Sequence, residues 1–177
     1  MPIGIYNPTN LGNTGRKGGY GINIVDYGAD PTGATDSLAA INSAVSALTE
    51  NDKLIIPAGT FAVSDTVSIV KSFINIDWVG AFTPFSGFDD ENFLVYLEAG
   101  GIADFYRKPI NISGQMYLKC AFGSRGLHVY NQDHFNWIHP RIEEPFGTAF
   151  RCDKIRESTI IAPEVINGLG RDSYAAA

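Results

Sequence analysis

Ile22-Asn23-Ile24-Val25-Asp26-Tyr27 is an apolar, β-branched run that breaks at Gly28-Ala29-Asp30, and Leu54-Ile55-Ile56 is a second run that breaks at Pro57-Ala58-Gly59. The first, Ile22–Tyr27, reads as a short strand. Asp30-Pro31-Thr32-Gly33 is then a turn, with proline suited to the first central position. Thr35 or Asp36 follows as an N-cap, whose side-chain oxygen can accept from free helical N–H groups. The spacing predicts a helix over Ser37–Leu48, with Leu38, Ile41, Val45 and Leu48 on one face. Asn51-Asp52 closes it. From there the chain reads as β: Leu54–Ile56, Thr60–Val63, Val67–Val70, Phe73–Val79 and Phe93–Leu97 are strands, and Pro84–Asn92 is a loop.

Composition narrows the class further. The 177 residues are 45% hydrophobic and 18% charged, which excludes a disordered chain. The net charge of -6 argues against a nucleic-acid-binding stripe. No apolar run reaches the ~18 residues of a membrane span, and Met1–Pro8 lacks the pattern of a secretory signal. Cys120 and Cys152 read as small hydrophobes of a chain that folds in a reducing cytosol. The 19 glycines, 11 phenylalanines and 8 tyrosines suit a β-rich fold with tight turns. Residues 1–21 are polar and glycine-rich. They read either as a linker or as an attachment peptide that orders on a partner. Lys17 is followed by Gly18 and no strand precedes Gly12, so this is not a phosphate loop.

A weak internal repeat points to a solenoid. Trp137-Ile138-His139-Pro140-Arg141-Ile142 aligns with Ile160-Ile161-Ala162-Pro163-Glu164-Val165 at a shift of 23 residues, and Gly126-Leu127-His128-Val129 aligns with Gly147-Thr148-Ala149-Phe150 at a shift of 21. A two-residue insertion would reconcile the shifts. One coil of this length cannot bury its inner face, whereas stacked coils make a continuous core. Alternation within a strand puts Ile138, Pro140 and Ile142 inward and Trp137, His139 and Arg141 outward.

The order Val25-Asp26-Tyr27-Gly28-Ala29-Asp30, Thr35-Asp36-Ser37, Ala40-Ile41, Ala44 and Leu54–Phe61 resembles the opening of the pectate-lyase-like right-handed parallel β-helix family, in the form found in bacteriophage tailspikes. The resemblance covers residues 22–70 closely and the rung region loosely. It implies a mainly β fold, a right-handed single-stranded parallel β-helix with an N-terminal capping α-helix. Asp26, Gly28, Asp36, Leu38, Ile41, Pro57, Gly59 and Phe61 are its capping and structural positions. It implies three parts: a virion-attachment peptide or linker over 1–21, a cap over 22–70, and first rungs over 71–177 that continue in a longer protein. The partners implied are two further copies in a homotrimer, a phage tail or baseplate protein held through 1–21, and a bacterial surface polysaccharide. Nucleic acid and membrane insertion are not implied. The setting implied is the virion, assembled in the host cytoplasm.

The resemblance also implies polysaccharide binding and often cleavage, which a fold alone does not settle. Hydrolysis needs a carboxylate pair, and the candidates are Glu143, Asp133 and Asp153. Glu143 and the adjacent Glu144 point oppositely in a strand and cannot pair. A lyase needs a base and a charge neutraliser, for which His139 and Arg141 are candidates. All five are weak candidates: solvated rung turns are the favoured reading of the three acids, and a surface polar pair or a subunit contact is the favoured reading of His139 and Arg141. This part of the chain is not expected to hold the active site. A non-catalytic adhesive fibre and a bacterial lyase or hydrolase are the alternatives. Trp137 and its repeat partner Ile160 suggest a subunit interface, or a sugar-stacking surface. No cofactor is implied. No metal site is expected, because His128, His134 and His139 lack helical zinc spacing and Asp89-Asp90-Glu91-Asn92 reads as a hydrated acidic loop.

Overall fold

The computed structural model describes residues 21–99, 110–121, 123–132 and 136–168. The expected attachment peptide therefore lies, but for Gly21, outside the described residues, as does Asp133. The described part is mainly β, with parallel sheets. The chain begins with β1 (Ile22–Asn23) and a 3-10 turn (Ile24–Tyr27), followed by helix α1 (Leu38–Ala47). Then come β2 (Lys53–Ile56), β3 (Thr60–Val63), β4 (Val67–Val70), β5 (Ile74–Trp78), β6 (Ala81–Pro84) and β7 (Phe93–Glu98). Further on lie β8 (Ile110–Gly114), β9 (Tyr117–Lys119), β10 (Arg125–Tyr130), β11 (Asn136–Ile138) and β12 (Arg141–Glu143). The last are β13 (Phe150–Asp153), β14 (Thr159–Ile161) and β15 (Glu164–Ile166).

Successive strands go to different sheets and return one place further on. The first sheet is ordered β1-β2-β5-β8, the second β3-β6-β9-β12-β15 and the third β4-β7-β10-β13, all parallel, and β11 pairs with β14. This is the pattern expected of a parallel β-helix, in which one side chain stacks on its counterpart in the next coil. Phe61, Phe82, Leu118 and Ile142 form such a row in the second sheet, all fully buried. Val67, Val95 and Leu127 form another in the third. Phe82 packs edge-on to its row neighbour Phe61 and, between the sheets, 4.9 Å from the Trp78 ring, centroid to centroid. The buried Trp78 indole N–H donates to the Gly80 carbonyl at 2.9 Å. The row ends in Val165, which is 44% exposed because no strand beyond β15 covers it among the described residues.

The opening motif forms a hydrogen-bonded knot. Asp30 accepts from the amides of Thr32 and Thr35 and from both their hydroxyls, at 2.7–3.0 Å. Asp36 accepts from the Leu38 amide at the start of α1 and from the amide and hydroxyl of Ser64, just after β3. It thus ties the helix to the second sheet. Ile41, Ala44 and Val45 are the buried face of α1, which packs on β1, the 3-10 turn and β4. Gly59 sits at φ 148°, and an added Cβ would lie 2.8 Å from Pro31, whose carbonyl accepts from Thr60 at 2.8 Å. Glycine lets the Asp30 loop close on the β2–β3 corner. Pro57 directly follows β2, Gly28 has φ 98°, and Asp26 is exposed in the 3-10 turn.

The Asp30 knot makes stability pH-dependent. The Thr32 hydroxyl and amide, with those of Thr35, push the Asp30 carboxyl down to about 2. A lowered folded-state value means that the contribution is complete above the unfolded value of about 3.9 and is lost as pH falls through about 2. Thermal melts are expected to show a midpoint that drops between about pH 4 and pH 2. Asp30→Asn should melt lower than the parent at neutral pH and lose part of that acid dependence.

Four expectations need correction. Ile22–Tyr27 is not one strand: the Asn23 side chain accepts from the Val25 amide and curls the chain into a 3-10 turn that left-handed Gly28 closes. The helix begins at Leu38, because Ser37 spends its hydroxyl as acceptor for the Asp30 amide. Trp137–Ile142 is two strands, β11 and β12, separated by a corner at His139 with φ 53°. The 21-residue shift fails as well: Leu127 pairs with Phe150, 23 positions on, the same spacing as Trp137 to Ile160 and Arg141 to Glu164.

Candidate functional site

In the third sheet Leu97 and Val129 are buried between Tyr96 and Glu98 and between His128 and Tyr130, so these four lie on its outer side, and register places Arg151 and Asp153 of β13 beside them. Register lines them up in two rows across the strands. Ser68, Tyr96, His128 and Arg151 make one, and Val70, Glu98, Tyr130 and Asp153 make the other. His128 is the hub. Its ring centroid lies 5.1 Å from Tyr96, 5.2 Å from Phe93 and 6.3 Å from Tyr130. Its Nε2 lies 2.9 Å from Asp153 Oδ2. An ionised carboxylate only accepts, so Nε2–H is the donor. The result is a half-buried aromatic platform whose polar atoms are held by one another.

The carboxylates are held as acceptors. Arg151 donates to Asp153 at 2.7 Å, and that bond together with the one from His128 keeps the Asp153 carboxyl below its ordinary range. Tyr96 O–H donates to Glu98 at 2.7 Å, and burial together with Glu98 raises the Tyr96 phenol well above its usual value. Glu98 and Asp153 share a row with the strand β10 between them, which separates their Cα atoms by roughly 10 Å. A glycosidase acid must hold its proton until it reaches the leaving oxygen. Asp153 is tuned the opposite way, and Glu98 is engaged by a hydroxyl donor. What the face offers chemically is aromatic ring surface with carboxylate acceptors beside it.

The residues singled out in the sequence are scattered over the fold. Asp153 belongs to this face. Glu143 and Arg141 lie in β12 on the outer side of the second sheet. There the Tyr117 hydroxyl donates to Glu143, Arg141 Cζ and Lys119 Nζ lie 5.0 and 5.2 Å from the Tyr117 ring centroid, and Arg141 is 3.8 Å from Glu164. Burial and the Glu143 bond push the Tyr117 phenol up to about 12. His139 is exposed at the corner before β12, so the outward pair of His139 and Arg141 on one strand does not form. Trp137 and Ile160 are register partners in β11 and β14, and the side chain of Trp137 lies outside the described part. In the acidic loop, Glu91 pairs with Arg125 at 2.6 Å. Tyr96, Glu98, Tyr130 and Arg151 were missed. The signal was there in the alternation of Phe93–Glu98 and Arg125–Tyr130, whose outward positions are aromatic or polar.

Residues 21–84 match the family model described as rhamnogalacturonase A/epimerase, pectate lyase-like. No curated protein matches the chain. Among solved structures, a protein from Parabacteroides merdae whose name assigns it to the glycosyl hydrolases superposes with TM-score 0.64 at 13% identity. The overlap covers 83% of this chain and 75% of that one. ORF18 of Geobacillus virus E2 aligns with TM-score 0.49 at 13% identity, over 88% of this chain and 43% of that one. The catalytic unit of the GH87 alpha-1,3-glucanase from Streptomyces thermodiastaticus strain HF3-3 aligns with TM-score 0.42 at 16% identity, over 89% of this chain and 42% of that one. At 13% identity the property shared with the Parabacteroides merdae protein is the fold.

Proposed function

We propose that the chain is part of a bacteriophage tailspike or tail fibre that binds a bacterial surface polysaccharide. In this reading the three sheets form one right-handed solenoid, α1 caps one end, residues 1–21 attach to the virion, and three copies assemble through their rungs. The phage setting is supported by the resemblance of residues 22–70 to the tailspike form of the β-helix. The binding role is supported by one observation above others: the platform of Tyr96, His128 and Tyr130 on the third sheet, edged by Glu98 and Asp153. Aromatic rings set edge to face, at interplanar angles of 66° and 76°, with carboxylates beside them suit sugar rings, which present C–H faces and a rim of hydroxyls. The engaged state of both carboxylates favours adhesion over cleavage for the described face, so any depolymerase chemistry falls to other residues.

An array of immobilised bacterial surface polysaccharides tests this reading. The purified chain is expected to bind at least one of them. Tyr130→Ala and His128→Ala should each weaken that binding by roughly tenfold, and Tyr117→Ala on the second sheet should leave it unchanged. Equal losses from all three variants, or binding to none, would overturn the assignment.

A further inference from the structure

The charges on the third sheet are paired with one another. Arg125 donates to Glu91 at 2.6 Å, and Arg151 donates to Asp153 at 2.7 Å. Lys154 lies 5.0 Å from the Tyr130 ring centroid, where it also feels Glu98. Two of the three cations on this face are thus bonded to carboxylates, and the third lies over an aromatic ring. Arg125 is further occupied by the Phe93 ring, with Cζ 5.9 Å from the centroid. A ligand carboxylate, sulfate or phosphate would have to displace Asp153 from Arg151 or Glu91 from Arg125, and would add negative charge to a balanced surface. An uncharged ligand meets no such competition. Its hydroxyls can donate to the spare lone pairs of Glu98 and Asp153 while its ring faces lie on the aromatic platform.

From this pairing we infer that the outer face of the third sheet takes an uncharged saccharide and rejects acidic ones. The inference rests on the saccharide-binding reading above and names its ligand class. A further consequence is weak salt dependence, since no net charge is neutralised on binding.

The test is binding of the full chain to dextran and mannan as neutral polymers and to polygalacturonate and alginate as acidic ones, at about 0.02 and about 0.3 M salt. The expected result is binding to a neutral polymer that changes less than about twofold with salt, and none to the acidic pair. Asp153→Asn frees Arg151 and Glu91→Gln frees Arg125. At least one of these variants, shown folded by circular dichroism, should gain salt-sensitive binding to polygalacturonate. Parent binding to an acidic polymer that fades with salt overturns the inference and leaves the saccharide reading standing. Two folded variants that gain nothing also overturn it. A chain that binds none of the four polymers and nothing on the polysaccharide array overturns the saccharide reading itself.

Discussion

Phe82→Ala is expected to destabilise the fold by about 3–5 kcal/mol, the usual cost of deleting a buried phenylalanine ring. Phe82 is fully buried in β6. It stacks between Phe61 of one coil and Leu118 of the next, and its ring also meets Trp78. Those neighbours belong to three strands locked in register, so they have little freedom to collapse into the cavity. A loss of this size is a large share of the roughly 5–15 kcal/mol that holds a domain together. Urea denaturation would show it as a lower midpoint. Phe146→Ala is the control: Phe146 is 38% exposed, and its loss should stay within about 1 kcal/mol. Equal effects at the two positions would mean that Phe82 is not at the centre of a packed row.

Gly126→Ala is expected to cost about 1–3 kcal/mol from crowding, and more if ladder bonds break. Gly126 is buried in β10, where the next coil passes closely. An added Cβ would overlap the Ala149 carbonyl oxygen and lie 2.9 Å from Ile142 Cδ1. The Ile142 methyl can yield, but the carbonyl accepts from the Leu127 amide at 2.8 Å. Moving it weakens a bond worth about 1 kcal/mol. Gly123→Ala should be nearly neutral, because its nearest neighbours would stand at 3.7 Å or beyond. Denaturation midpoints of the two variants separate coil contact from a general intolerance of alanine.

The legible parts of the sequence were those where local signals agree. β3 and β4 have the bounds that alternation and the Pro57-Ala58-Gly59 break imply. Ile41 and Val45 face the core as their helical spacing requires. β6 is hard to read because the strand-favouring Phe82 and Thr83 are only two residues, bounded by Ala81 and Pro84, which strands disfavour, and the segment is a strand through its pairing with β3 and β9. Ile22–Tyr27 went the other way. Its β-branched residues favour a strand, and a single side chain, Asn23, bends the backbone.

The site was harder to see because it depends on register between distant coils. Val67 pairs with Val95 and Val95 with Leu127, 28 and 32 positions apart, whereas Leu127 pairs with Phe150 after 23. Loops of different length hide the rows, so Tyr96, His128 and Arg151 do not recur at any one period. The repeat whose spacing holds, Trp137–Ile142 with Ile160–Val165, lies between coils of equal length. It drew attention to Arg141 and Glu143 on the second sheet, where the carboxylate is held by Tyr117. Asp153 was noticed as an acid near a turn, and its partners His128 and Arg151 emerge only when β10 and β13 are set side by side.

The most direct test of the account is a crystal structure of the chain with a saccharide that it binds on the array. The predicted result is sugar rings lying against Tyr96, His128 and Tyr130, with hydroxyls within hydrogen-bonding distance of Glu98 or Asp153. Sugar bound instead beside Tyr117 and Arg141 on the second sheet, with the third sheet bare, would contradict it.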